Sequence, residues 1–283
     1  MVPLPQKSTL AIVTGEGALP RLIAEECARQ GQQYMLVLFA GFAPAWATGR
    51  PQCNVEFEKP GKLFKTLEAA GCRHVVFAGA MQRPNLNPLR FDWKFLTLSP
   101  TLLPALKSGD DVTLRTITAI FEAEKLEIVA PHSLLESLVA KEGVLGNVQP
   151  TAADLMDIAR GFAIARAAGS QDVGQGAVVA QGLCLGVESI QGTDVMLDFV
   201  AQTGSGYRPD PEGSRGVLCK APKPGQDWRV DMPAIGANTL ENAAKAGLAG
   251  VAVQAGGVLI LGLEETLAKA DEMGLFLVGE PAP

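Results

Sequence analysis

The chain has almost no histidine: His74 and His132 are the two in 283 residues. Neither stands in a carboxylate-rich segment, which excludes a histidine-rich dinuclear metal site and leaves carboxylate oxygen as the ligand for any metal. Cysteine is sparse and odd in number. Cys27, Cys53, Cys72, Cys184 and Cys219 show no CxxC spacing, which argues against a disulfide framework and a zinc site and favours a reducing cytosol. An excess of positive charge is also missing: 24 Lys and Arg face 30 Asp and Glu, a net charge of −6, so a basic nucleic-acid surface is excluded. There is no uncharged apolar run long enough to cross a bilayer. The opening MVPLPQKSTLAIVTGEG breaks at Gly15 and Glu16, too early for a signal peptide. The expectation is a soluble cytoplasmic protein without a nucleic-acid partner, free to touch a membrane surface.

What is there suits a packed core: 47% of the residues are hydrophobic, and the length favours two domains. The first third alternates short apolar runs with helical periodicity. Thr9 to Val13, Tyr34 to Phe39 and His74 to Ala78 read as strands. Leu22, Ile23 and Cys27 recur at helical spacing up to Gly31, and Pro60 to Ala70 reads as a helix stopped by Gly71. A helix from Val112 to Glu124 and a strand from Glu127 to Ala130 complete a unit with a parallel sheet covered by helices. The pattern weakens between Leu134 and Pro150. The expected organisation is a first domain over 1–133, a connection over 134–151, and an α+β domain over 152–283. In the second domain Ala177 to Ala180 and Leu183 to Glu188 flank Gln181-Gly182, a hairpin signal. A helix from Ala152 to Ala168, a strand at Val217, a helix from Thr239, strands at Val251 and Val258, a helix from Glu264 and a last strand at Leu275 complete it.

Two loops of the first domain follow strands. TGEGALP, Thr14 to Pro20, is half of a dinucleotide fingerprint, with glycines that turn the chain tightly and free helix N–H groups for an anion. The third glycine position is Pro20, and the second strand ends in Phe39-Ala40-Gly41 where a ribose-binding acid belongs, which counts against an NAD(P) oxidoreductase. GAMQRP, from Gly79, follows the third strand, and in a parallel sheet the two loops border one crevice. Asp110 and Asp111 in KSGDD are read as helix caps.

The second domain gathers polar chemistry in three stretches: SQDVGQG, ESIQGTD and KAPKPGQDWRVDMPAIG. If Asp227 to Asp231 is extended, Asp227, Arg229 and Asp231 share one face and Trp228 and Val230 the other. The plain reading is a surface arginine neutralising two aspartates. Lys220, Lys223, Gln226 and the flanking prolines favour a site for metal and phosphate, since Mg²⁺ takes one or two carboxylates together with substrate phosphate and water. Thr193 or Asp194 is a natural N-cap for VMLDFVAQ. Glu188, at the end of an apolar strand, needs a partner or a metal.

Taken in order, GEGALP, GAMQRP, KSGDD, QDVGQGAVVAQG, VESIQGTD, KAPKPGQDWRVDMPAIG and AGLAGVAVQAGG resemble the LpxI-type UDP-2,3-diacylglucosamine pyrophosphatases of Gram-negative lipid A biosynthesis. The resemblance covers nearly the whole chain. It implies a Rossmann-like N-terminal domain, a distinct C-terminal domain, and a Mg²⁺-dependent hydrolase that releases UMP and 2,3-diacylglucosamine 1-phosphate, lipid X. On this sequence the implied catalytic residues are Asp227, Asp231, Arg229 and Lys220, with Asp227, Asp231 and Glu188 toward the metal. Gly15, Gly17, Ala18, Leu19, Gly79, Ala80, Met81, Gln82, Asp172, Gln175, Thr193, Asp194, Lys223 and Gln226 would shape the substrate site. The diacyl substrate implies contact with the inner membrane. Phe91 to Lys107 is the candidate lipid-facing or homodimer-forming segment, with ordinary core the favoured reading of its leucines. The reading from another class is a nucleotide-sugar-binding sensor without catalysis.

Overall fold

Short aliphatic runs become strands in the computed structural model, which describes residues 8–81 and 84–282. The described residues up to Glu136, together with Asp227–Asp231, form one unit, and the remainder forms a second.

In the first unit the chain runs β1 (Thr9–Thr14), α1 (Leu19–Gln30), β2 (Tyr34–Phe39), β3 (Gln52–Val55), α2 (Pro60–Ala69), β4 (Cys72–Ala78), α3 (Trp93–Ala105), α4 (Asp110–Ala123), β5 (Glu127–Ile128) and α5 (Pro131–Leu134). The five strands are parallel in the order β3-β2-β1-β4-β5. Residues 10–14 of β1 are buried, as a strand covered on both faces requires. The helices turn apolar stripes inward: Ile23, Ala24 and Cys27 from α1, and Leu63, Phe64 and Leu67 from α2. Phe121 of α4 sits edge-on to Phe64 and Phe77, each with ring centroids 5.1 Å apart. The α4 cap is Gly109, so Asp110 and Asp111 fall inside the first turn instead of capping it, and Asp111 pairs with Arg115.

The order reverses between β1 and β4, and the loops that follow these two strands are TGEG and GAMQ. They meet through the backbone. Gly15 N–H donates to Ala78 O (2.8 Å), Glu16 N–H to Ala80 O (2.7 Å) and Ala80 N–H to Glu16 O (3.1 Å). A β-carbon on Gly15 would overlap the carbonyl of Ala80, and one on Gly79, whose φ is +86°, would overlap that of Glu16. These glycines therefore serve close backbone approach. The N–H groups of Gly15 and Glu16 are spent on that pairing and are not free for an anion.

The second unit contains β6 (Gly143–Val144), α6 (Ala152–Ser170), β7 (Gly176–Ala180), β8 (Leu183–Val187), α7 (Gly192–Thr203), β9 (Val217–Lys220), β10 (Ala234–Ile235), α8 (Ala237–Lys245), β11 (Gly250–Gln254), β12 (Leu259–Ile260), α9 (Leu263–Glu272) and β13 (Phe276–Glu280). Its mixed sheet has the order β6-β13-β11-β9-β7-β8, and β10 and β12 form a small parallel pair. The hairpin turns at Gln181-Gly182, with φ of 52° and 75°. A glutamine tolerates that left-handed position because buried Asp157 on α6 accepts both turn N–H groups, Gln181 at 2.9 Å and Gly182 at 2.7 Å. Among the described residues no helix is long and apolar enough to cross a membrane.

Candidate functional site

The acidic run of the second half folds differently from the extended reading. Asp227–Asp231 is a single turn: Asp227 O accepts Val230 N–H (3.1 Å) and Asp231 N–H (3.0 Å). A turn breaks the two-residue alternation that would put three charges on one face. Val230 joins the first unit's core and Asp231 borders its cavity, while Trp228 stays exposed. Packing of Val230 fixes the turn, since an isolated turn this short has little stability of its own.

Within the turn Arg229 grips Asp227. Nη2 donates to Oδ2 at 2.7 Å and Nε reaches Oδ1 at 3.0 Å, while Nη1 donates to Glu122 of α4 at 2.9 Å. Hydrogen bonding from Arg229 holds the Asp227 carboxyl below its usual range, with desolvation opposing it, and the same contact raises the Arg229 guanidinium. Asp227 is therefore a carboxylate at neutral pH, oriented by a guanidinium that α4 holds in turn.

Two cavities adjoin in this unit. One, of about 550 Å³, is lined by Gly15, Glu16, Gly41, Glu58, Asn85 and Arg90 among others. It lies beyond the carboxyl ends of β1 and β2, where open parallel sheets bind ligands. The other, of about 420 Å³, is walled by Phe64, Phe77, Leu98, Leu102, Leu114 and Ile117, with Val230 and Asp231 at its border. Phe39, Phe57, Ala80 and Met81 line both. Gly79 borders the apolar cavity. Gly17, Ala18 and Leu19 form the entry to α1, with Ala18 as its cap. Gln82 lies outside the described residues.

The second unit gathers the other candidates into three local groups. Lys220, at the end of β9, donates to Thr193 Oγ1 at 2.5 Å and lies 3.4 Å from Glu188 Oε2, with both charged side chains buried. Lys223 pairs with Asp172 at 2.7 Å, and Gln226 accepts the Lys223 N–H at 2.9 Å and reaches Gln175 at 3.5 Å. Asp194 is held by Asn242 at 3.0 Å and Asn238 at 3.1 Å. Neither Thr193 nor Asp194 caps α7, whose cap position is Gln191. Both side chains are drawn to distant partners instead.

Asn238, Asn242 and Glu122 were not legible as site residues. The one local hint was the i, i+4 spacing of the two asparagines on a helix face. Among the described residues no three His, Cys, Asp or Glu side chains converge as a metal cage, and Glu188 is engaged by Lys220. The hard carboxylate oxygens of Asp227 and Asp231 suit Mg²⁺, which needs only one or two of them when phosphate and water complete its shell.

Comparison with known proteins bears on both units. Residues 9–138 match the model of the LpxI N-terminal domain, and residues 141–278 that of the LpxI C-terminal domain. The chain is 40% identical over 270 residues to the UDP-2,3-diacylglucosamine pyrophosphatase LpxI of Caulobacter vibrioides, covering 95% of this chain and 96% of that one. Among solved structures, the CobK precorrin-6A reductase aligns over 98% of this chain and 88% of its own, at 15% identity and a TM-score of 0.33. An N5-carboxyaminoimidazole synthase from Aspergillus clavatus aligns over 62% and 39%, at 11% identity and a TM-score of 0.23. Neither likeness carries an argument. The two domain matches and the full-length relative do, and the chain belongs to the LpxI family.

Proposed function

We propose that this enzyme hydrolyses the pyrophosphate bond of UDP-2,3-diacylglucosamine, adding water across it to give UMP and 2,3-diacylglucosamine 1-phosphate, and that it requires Mg²⁺. The name of the Caulobacter relative supplies the substrate. The observation that carries it to this chain is the apolar cavity of about 420 Å³ sharing walls with a polar one of about 550 Å³, with Asp231 at its border. Such a pair suits an amphiphile: an acyl chain enters the phenylalanine- and leucine-lined space while the polar end stays beside the aspartate turn.

Pyrophosphate cleavage spreads negative charge over non-bridging and leaving oxygens, so catalysis consists largely of positioning and charge stabilisation. Asp227, kept ionised by Arg229, and Asp231 would hold Mg²⁺. Bound there, the ion would neutralise phosphate charge and acidify water. Arg229 supplies a cationic donor for the phosphate oxygens; within the second unit Lys220 and Lys223 are the candidate cations, and Asp194, fixed by Asn238 and Asn242, is the candidate acceptor. Asp172, Gln175, Thr193 and Gln226 hold these groups in place.

The test is UMP release from UDP-2,3-diacylglucosamine with Mg²⁺ and then with EDTA, beside the Asp227→Ala variant. Mg²⁺-dependent release that falls at least a hundredfold in the variant, on the order expected for removing a charge-stabilising group, supports the reading. A folded protein that binds the substrate and yields no UMP is a sensor instead.

A further inference from the structure

Helix α3 is apolar on two opposite sides. Phe95, Leu98 and Leu102 line the apolar cavity. Trp93, Leu96, Pro100, Leu103 and Pro104 recur at the spacing of one helical stripe on the other side, and all five are exposed. Trp93 is 80% and Leu96 48% accessible, and Leu89, just ahead of the helix, is 96% accessible. None of these side chains carries a charge. A surface helix of a water-soluble protein normally turns a polar face outward, and a contiguous uncharged apolar stripe marks an interaction surface.

We infer that this stripe docks on a lipid bilayer, with α3 lying in the plane of the interface. The inference rests on the diacyl-substrate reading for its purpose. One helix then carries the bilayer on its outer side and the cavity on its inner side, so an acyl chain moves between them along a single apolar element. Three observations choose lipid over protein. Specific protein partners are registered by polar and charged groups, and this stripe offers none. Trp93 places an indole, with one polar N–H, at the end of the stripe, as interfacial anchors do. Lys107, exposed just beyond the end of the stripe, has a long stem that lets its charge stay in the head-group region while the stripe inserts. With a net charge of −6, the chain binds by insertion more than by attraction, so salt has little effect on it.

The experiment is flotation of the full-length protein with vesicles of phosphatidylethanolamine and phosphatidylglycerol in equal amounts, without substrate. The wild type floats, and Trp93→Ser/Leu96→Ser lowers the bound fraction by roughly tenfold or more. Thr97→Glu, a charge placed beside the stripe at an already polar and exposed position, lowers it as well. Brominated lipid quenches the fluorescence of the wild type more than that of Trp93→Phe. Turnover of a short-chain, water-soluble diacyl substrate is unchanged in all three variants, which shows that they are folded. A wild type that stays with the unbound protein, or a double variant that floats equally well, overturns the inference. So does a dimer in sedimentation that the double variant dissociates, which would give the stripe to a second copy. Because the vesicles hold no substrate, flotation stands or falls separately from UMP release.

Discussion

Arg229 and Asp227, two residues apart, clasp each other through Nη2 and Nε on one side and both carboxylate oxygens on the other, while the remaining Nη1 reaches Glu122. The fork geometry belongs to arginine and cannot be reproduced by lysine. Arg229→Lys is therefore expected to cut kcat while leaving stability within about 1 kcal/mol, because exposed ion pairs contribute little to folding. Steady-state kinetics and a urea titration on the same preparation separate the two, and a variant that lost stability without losing kcat would make the clasp structural.

The acid limb follows from the same contact. Arg229 lowers the Asp227 carboxyl below its usual value, so the folded state binds that proton more weakly than the unfolded chain does. The stabilising contribution is complete above the unfolded value, near pH 4, and is lost as the pH falls through the lower folded value. Carboxyl NMR titration should find the Asp227 midpoint below that of an ordinary aspartate in the wild type and shifted upward in Arg229→Met. An unchanged midpoint would remove Arg229 as the cause.

Lys220 and Glu188 are a buried pair with side-chain exposures of 6% and 8%. Removing one partner leaves an uncompensated charge, so Lys220→Met is expected to cost about 3–5 kcal/mol. Adding Glu188→Gln should restore part of it. Chemical denaturation of both singles and the double would reveal the coupling, and strict additivity would contradict it.

Acyl-chain selectivity should reside in the cavity wall. Leu114→Trp, which fills part of the space lined by Leu98, Leu102 and Ile117, is expected to raise KM for long-chain substrate by roughly tenfold or more, the effect of losing one or two buried methylenes, and to leave short-chain substrate unaffected. Equal effects on both lengths would place the acyl chain elsewhere.

Thiol chemistry offers a simple check on burial. Cys27 and Cys72 are buried, and desolvation pushes both thiols up to about 11, whereas Cys184 on β8 is exposed. A maleimide at neutral pH should modify Cys184 first, and mass mapping that found Cys27 or Cys72 ahead of it would contradict the fold.

Much of the fold was legible. β1, β2 and β4 are aliphatic runs bounded by glycine or polar residues, and the Gln181-Gly182 hairpin stands as read. β3, Gln52–Val55, escaped because its residues are mostly polar and exposed at the sheet edge. α3 escaped because Pro100 and Pro104 mimic helix breaks. The site was legible as composition and less so as geometry. Charges at Asp227, Arg229 and Asp231 suggested an alternating strand, but Val230, not the charges, decides the conformation by entering the core. Asp194 looked like a cap because its asparagines lie more than forty positions away, beyond any local rule.

The excursion of Asp227–Asp231 into the first unit has a consequence for engineering. Cutting the gene where the two family domains divide, between residues 138 and 141, would leave the N-terminal fragment with a notch where Val230 belongs and Glu122 facing no arginine. A chimaera that exchanged C-terminal halves between relatives would thereby transplant part of the N-terminal core with them. The surface of α4 and those five residues thus pack as one unit despite being a hundred positions apart, so an exchange of either has to be matched to the other.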